Sequence, residues 1–146
     1  MPPVALFAYG TLMLPEVMTL VTGREFRAQE AVLVGFRRYR LRGEVYPGIW
    51  PEGGAETTGL LYQGLDRQAL DRLDAFEGEQ YRRQTVTVKA SDGREWRAET
   101  YLLDQRWLAA LSKEEWEPAW FLANHLEAFV RACEPFRVPQ AGKNPA

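Results

Sequence analysis

The sequence predicts a mixed α+β fold whose mainly antiparallel sheet curls into a barrel. Three observations predict it. Strand-like runs outnumber helical ones, they follow one another in hairpin-like succession, and helical spacing of apolar residues is confined to a few separate stretches. With 146 residues, the chain suits a single domain spanning 1–146. A domain of that length buries roughly two thirds of the surface its unfolded chain exposes, so a sizeable core is possible.

In chain order, Val4 to Tyr9 is a short apolar run stopped by Gly10 and reads as a buried strand. Leu14, Val17, Met18 and Val21 fall at helical spacing, with Pro15 suited to a first helical position and Gly23 to the position after the last. Phe26 to Leu41 holds two strand-like pieces hinged near Gly35. The Gly- and Pro-rich stretch Gly43 to Gly54 reads as a loop or a broken strand, and Thr57 to Leu65 as another strand. Asp66 is a good N-cap for a helix carrying Ala69, Leu70, Leu73 and Phe76 on one face and closed by Gly78.

Alternation returns from Gln80 to Lys89. Ser91-Asp92-Gly93 is a hairpin turn, with Asp-Gly suited to two successive positive-φ positions, and the return strand runs from Glu95 to Leu103. Ser112 with Glu115 resembles a capping box, so a single turn is expected at Ser112 to Trp116. The main C-terminal helix is expected from Pro118 to about Ala132, with Trp120, Ala123, Leu126 and Val130 as its apolar stripe and Pro135 ending it. Residues 137–146 are expected to form a mobile tail.

Composition narrows the function. A net charge of −2 and scattered arginines argue against nucleic acid, which needs a concentrated basic face. The cluster Arg37, Arg38, Arg40 and Arg42 reads as the solvated side of a strand, interleaved with Phe36, Tyr39 and Leu41. One Cys (Cys133) and one His (His125) leave no internal disulfide and no plausible zinc site. No run approaches the ~20 apolar residues of a membrane helix, and the first residues lack a signal-peptide pattern; a cytoplasmic protein without membrane partners is expected. A Cys–His pair is excluded within the C-terminal helix, since Cys133 and His125 lie eight residues, or roughly 12 Å, apart there. His125 is expected to pack beside Trp120 and Leu126.

Two places carry candidate chemistry. Tyr9-Gly10-Thr11-Leu12 follows a buried strand and precedes a helix, so its backbone N–H groups converge near the positive end of that helix. Such a turn binds carboxylate, phosphate or a developing oxyanion; on spacing alone an ordinary strand-to-helix turn, with Gly10 in a left-handed conformation, is the favoured reading. Glu77, in Asp74-Ala75-Phe76-Glu77-Gly78, sits at a helix C-terminus. The helix dipole and any burial push its pKa upward, as a general acid/base near neutrality requires. A plain surface carboxylate is the alternative there, and Glu79 reads as solvated.

Taken together, Leu6-Phe7-Ala8-Tyr9-Gly10-Thr11-Leu12 resembles the opening signature of the gamma-glutamylcyclotransferase-like (AIG2-like) family. Leu73-Asp74-Ala75-Phe76-Glu77-Gly78, with Tyr81-Arg82 and the Val86–Val88 strand, resembles its second signature, and Tyr46-Pro47-Gly48-Ile49 its middle loop. Order and spacing agree over roughly residues 4–103. The resemblance implies a mixed barrel flanked by helices with a cavity beside the first turn. It also implies a small-molecule γ-glutamyl substrate, whose α-amine attacks its own γ-carbonyl, closing 5-oxoproline and expelling an amine. By the same resemblance Glu77 moves the proton, Tyr9, Gly10, Thr11 and Leu12 hold the substrate, Tyr81 and Tyr101 line the cavity, and no cofactor or metal is needed.

The turn reads Tyr-Gly-Thr-Leu rather than the Tyr-Gly-Ser-Asn of the branch acting on simple γ-glutamyl amino acids. It is closer to the branch associated with γ-glutamyl-amine substrates, and to many members of unestablished substrate. A family-shaped binding or regulatory module without turnover is the alternative expectation. A plain interaction domain would instead leave Glu77 exposed and no pocket beside Gly10.

Overall fold

The computed structural model describes residues 2–138. Its strands are β1 (Val4–Ala8), β2 (Ala28–Leu41), β3 (Pro47–Leu65), β4 (Tyr81–Ala90), β5 (Glu95–Leu103) and β6 (Leu111–Glu115). Its helices are α1 (Pro15–Thr22), α2 (Arg67–Glu77), α3 (Pro118–Asn124) and α4 (Leu126–Ala132). Five strands close on themselves in the order β3-β1-β5-β4-β2 and back to β3, and β6 adds to the outer edge of β2. The β1–β5 pairing is parallel; the other recorded pairings are antiparallel. This is the mixed barrel the sequence predicts.

Strand β1 shows how the barrel is filled. Successive side chains of a strand point to opposite faces. Ala5 and Phe7, with Tyr9 just beyond, pack with Ala31, Leu33, Ile49, Leu61 and Val88 from the other strands, which is the barrel interior. Leu6 and Ala8 face the other way, against Val17, Met18 and Val21 of α1 and Leu70 and Leu73 of α2. Leu6 and Phe7 are both fully buried, each stabilising the fold by about 1.5–3 kcal/mol. Close approach of β3 to β1 requires Gly59, where a Cβ would lie 2.3 Å from the Ala8 carbonyl oxygen and 2.9 Å from the Phe7 ring.

Both flanking helices begin and end as expected. Pro15 opens α1, and Gly23 follows it at φ 76°. Asp66 caps α2 by accepting from the Ala69 N–H.

Several expectations are corrected. The Gly/Pro-rich stretch is a strand from Pro47 on. Pro51 is tolerated because it pairs with Phe36 beside a register shift in β2, and β1 covers only the far end of β3. The two pieces expected around Gly35 form one strand with that irregularity in it. Leu111–Glu115 is not a helical turn but an edge strand, pairing Leu111 with Leu41 and Glu115 with Tyr39. The Ser112 hydroxyl accepts from the Glu114 N–H, a local bond that imitates a cap.

The single helix expected over 118–132 is interrupted at His125 (φ −131°, ψ −10°). Its buried residue is Phe121, while Ala123 is exposed. His125 does pack against Trp120, at 4.5 Å between ring centroids. In the β4–β5 turn only Gly93 has positive φ (84°). The loop is therefore a three-residue one, closed by bonds from the Gly93 N–H to Ala90 and from the Ala90 N–H to Arg94. The tail expected over 137–146 lies outside the described residues from 139 on; the N–H of Val138 donates to the Leu20 carbonyl at 3.0 Å.

Candidate functional site

The site forms where β1 runs out of its ladder. Past Ala8 the chain leaves the sheet and makes a 3₁₀ turn, Thr11–Met13, before α1. Each carbonyl of this turn is occupied. That of Tyr9 accepts from the Arg38 guanidinium at 2.7 Å, and that of Leu12 from the Tyr62 hydroxyl at 2.6 Å. Those of Gly10 and Thr11 accept from the N–H groups of Met13 and Leu14. The N–H groups of Gly10, Thr11 and Leu12, by contrast, have no protein acceptor among the described residues. Fixed donors with no acceptor are what an anion-binding turn presents.

Arg38 corrects the reading of the arginine cluster as a solvated face. It reaches over the sheet to the carbonyls of Tyr9 and Thr58 and stacks on the Trp116 ring. Arg37 pairs with Glu52 and Glu115, and Arg40 pairs with Glu114 while stacking on the Trp120 ring at 4.6 Å.

Glu77 is the last residue of α2. The chain turns away at once because Gly78 adopts φ 71°, ψ −163°, a conformation open to glycine, with its N–H on the Asp74 carbonyl. Glu77 therefore enters the same cavity that the Tyr9–Leu12 turn lines, a space of about 240 Å³. Its carboxyl has no hydrogen-bond partner among the described residues. Burial, and then the negative charge of Asp74 one turn back, push its pKa up to about 8. Asp74 itself is held outside the cavity by Arg83 at 2.9 Å and by the Tyr101 hydroxyl at 2.7 Å.

The tyrosines are braced rather than free. The Tyr9 phenol donates to the Tyr101 carbonyl at 2.5 Å, Tyr81 to the Pro47 carbonyl at 2.6 Å, and Tyr101 to Asp74. Burial raises all three phenols well above their ordinary value, so they stay neutral. Burial likewise pushes the Cys133 thiol up to about 11. Glu77 is thus the cavity group that changes charge near neutrality. Among the described residues no cluster of three or more His, Cys, Asp or Glu is placed to hold a metal ion, and no helix is long and apolar enough to cross a membrane.

All seven residues singled out from the sequence, Tyr9, Gly10, Thr11, Leu12, Glu77, Tyr81 and Tyr101, line this one cavity. Sequence reasoning missed Tyr46 and Gln80, joined by a 3.3 Å hydrogen bond at one side. It also missed an apolar part of the lining, Phe76 with Phe129, Ala132, Cys133 and Phe136. A signal for that part was present: positions 129, 132, 133 and 136 follow the i, i+3, i+4, i+7 spacing of one helix face. The stripe drawn through Trp120 and Ala123 obscured it.

Fold and cavity define a class of protein, a mixed barrel with one cavity lined by both a buried carboxyl and a turn whose N–H groups lack protein acceptors. The family model described as "Gamma-glutamyl cyclotransferase, AIG2-like" matches residues 6–118, and the chain belongs to that family. An Arabidopsis thaliana relative, AIG2-like protein C, is 37% identical over 141 residues, covering 93% of this chain and 81% of its own length. A solution structure of an Arabidopsis thaliana protein superimposes with a TM-score of 0.68 at 28% identity, covering 91% of this chain and 81% of that one. A solved gamma-glutamyl cyclotransferase superimposes with a TM-score of 0.62, covering 99% and 93%; at 18% identity it speaks to the fold alone.

Proposed function

We propose that this protein is a cyclotransferase that converts a γ-glutamyl amide to 5-oxoproline and a free amine. One observation carries the reading: Glu77, with its pKa near 8, lines the same cavity as the unoccupied N–H groups of Gly10 to Leu12. The family and fold support it at the level of a gamma-glutamyl cyclotransferase-like activity.

In this reading the turn N–H groups receive the substrate's α-carboxylate or the oxyanion that develops on its γ-carbonyl, in fixed positions that need no reorganisation. Glu77 takes a proton from the α-ammonium; a carboxyl with a pKa of about 8 is a stronger base than an ordinary glutamate and can still return the proton. The freed nitrogen attacks the γ-carbonyl carbon, forming the ring C–N bond. Glu77 returns the proton to the departing nitrogen as collapse breaks the original amide C–N bond, and the second proton lost by the ring nitrogen goes to the released amine, which departs as its ammonium. No water is consumed and no electron pair leaves the system. Because the attack is intramolecular, holding the substrate folded supplies much of the rate. The neutral, braced tyrosines shape the cavity without competing for the proton.

The test is a panel of γ-glutamyl amides and γ-glutamyl amino acids incubated with the protein, with 5-oxoproline as the readout. Product from at least one member is expected. Ligands that raise the melting temperature while none yields 5-oxoproline would mark a binding module instead.

A further inference from the structure

A cluster of ionised side chains stands one helical turn from Glu77, outside the cavity lining. Arg83 and Tyr101 face each other in the β4–β5 ladder, and both reach Asp74 on α2. The Arg83 guanidinium holds Asp74 with two prongs, Nε to Oδ1 at 2.9 Å and Nη2 to Oδ2 at 3.3 Å, while Nη1 donates to Glu99. The Tyr101 hydroxyl donates to Oδ1 of Asp74 at 2.7 Å, and Glu99 also accepts from the Thr85 hydroxyl. Tyr101 lines the cavity with Glu77, whereas Asp74, Arg83 and Glu99 do not. Arg83 and Glu99 instead line a separate surface depression, together with Arg67 and Asp71 of α2.

We infer that Arg83 is a positioning residue for Glu77: it clamps Asp74 and offsets its charge, so that this second carboxylate neither swings toward Glu77 nor acts on it in full. The inference rests on the cyclotransferase reading for its kinetic consequence and adds a residue to that site. Residues three apart on a helix are neighbours on one face, so Asp74 and Glu77 stand side by side on α2. Two unpaired carboxylates that close do not both ionise readily. Burial first, and then the charge of Asp74, push Glu77 upward. The other titratable groups around Glu77 come from different elements. They are the phenols of Tyr9 just after β1, Tyr46 just before β3, Tyr81 on β4 and Tyr101 on β5, with the thiol of Cys133 just after α4. Burial raises them all, so they stay neutral and leave Asp74 as the charge that bears on Glu77. What offsets Asp74 is the Arg83 fork. The hydrogen bonds to Asp74 raise the Arg83 pKa further, and the guanidinium stays charged. Glu99 shares the same guanidinium, so Asp74 is offset only in part.

Arg83→Met, made alone and in an Asp74→Asn background, tests this. Alone, it should move the acid limb of kcat/KM to higher pH, so that activity at pH 7 falls roughly threefold to tenfold. Arg83→Lys keeps the charge and should leave the limb close to its native position, even where it lowers the denaturation midpoint. In the Asp74→Asn background, Arg83→Met should move the limb by only a small fraction as much. The same titration is read without turnover from the carboxyl-carbon NMR signal of Glu77, assigned by its loss in Glu77→Gln. Should Arg83→Met fail to fold by circular dichroism, Arg83→Gln, which keeps a donor for Asp74 but no charge, takes its place. An unmoved or lowered midpoint on loss of Arg83, or an equal shift with and without Asp74, would overturn the clamp and leave the cyclotransferase reading standing. A raised NMR midpoint that requires Asp74, with no 5-oxoproline from any substrate, would support the clamp while removing the chemistry proposed above.

Discussion

The Arg38 guanidinium donates to the carbonyl of Tyr9 at 2.7 Å, tying the C-terminal part of β2 to the turn that follows β1. The same group holds the Thr58 carbonyl of β3. A side chain that reads as solvated in the sequence thereby fixes the backbone whose N–H groups face the cavity.

Replacing Arg38 with Met should remove both bonds and leave two carbonyls short of donors, costing about 1–3 kcal/mol of stability. Its signature in kinetics is a rise in KM larger than the fall in kcat, because the turn is loosened rather than the acid removed. Arg38→Lys, which keeps the charge but not the forked geometry, should recover part of the loss. Thermal denaturation together with steady-state kinetics checks both.

The pKa of Glu77 sets a pH dependence with opposite signs for activity and stability. Below about pH 8 both Glu77 and the substrate amine carry protons. No acceptor remains, and kcat/KM should fall about tenfold per pH unit on the acid side. For stability, the folded pKa of about 8 lies above the ordinary value of 4.5. The contribution of the neutral carboxyl is therefore fully present below about pH 4.5 and is lost as pH rises through about 8. Relative to Glu77→Gln, the native protein should lose roughly 2–4 kcal/mol across that window. Urea denaturation of the two proteins at pH 5 and pH 9 measures the difference.

Asp74 contributes to that raised pKa through its negative charge. Asp74→Asn should move the acid limb of kcat/KM to lower pH, away from about 8. It should also weaken the hold on Arg83 and the Tyr101 hydroxyl. A pH profile with an unmoved limb would show that burial alone sets the Glu77 pKa.

Gly59→Ala tests the packing of β1 on β3. The added methyl would sit 2.3 Å from the Ala8 carbonyl oxygen, a backbone atom that cannot step aside cheaply. A loss of roughly 3 kcal/mol or more is expected, read as a lowered denaturation midpoint.

Much of this architecture is legible in the sequence because local signals agree with the tertiary outcome. Asp66 with Ala69, Leu70 and Leu73 marks α2, and the position of Glu77 just before Gly78 places it at the helix end with an upward push on its pKa. The Tyr9–Leu12 turn is marked by Gly10 after an apolar strand. What the sequence hides is set by partners distant along the chain. Pro47–Pro51 is extended because β2 supplies a ladder alongside it, overriding the Gly and Pro content. Leu111–Glu115 is a strand because Tyr39 and Leu41 pair with it, overriding a capping-box pattern. The role of Arg38 depends on carbonyls 29 and 20 residues away. The cavity-lining residues Phe129, Ala132, Cys133 and Phe136 follow helical spacing, but they belong to a short helix and turn that begin only after the break at His125.

The claim that one carboxyl moves the proton is tested most directly by 5-oxoproline release from Glu77→Gln and native protein, side by side on the best substrate of the panel. In Glu77→Gln kcat is expected to fall about 10³-fold, with substrate still bound and the fold intact by circular dichroism. Release at the native rate by the Glu77→Gln protein would contradict it.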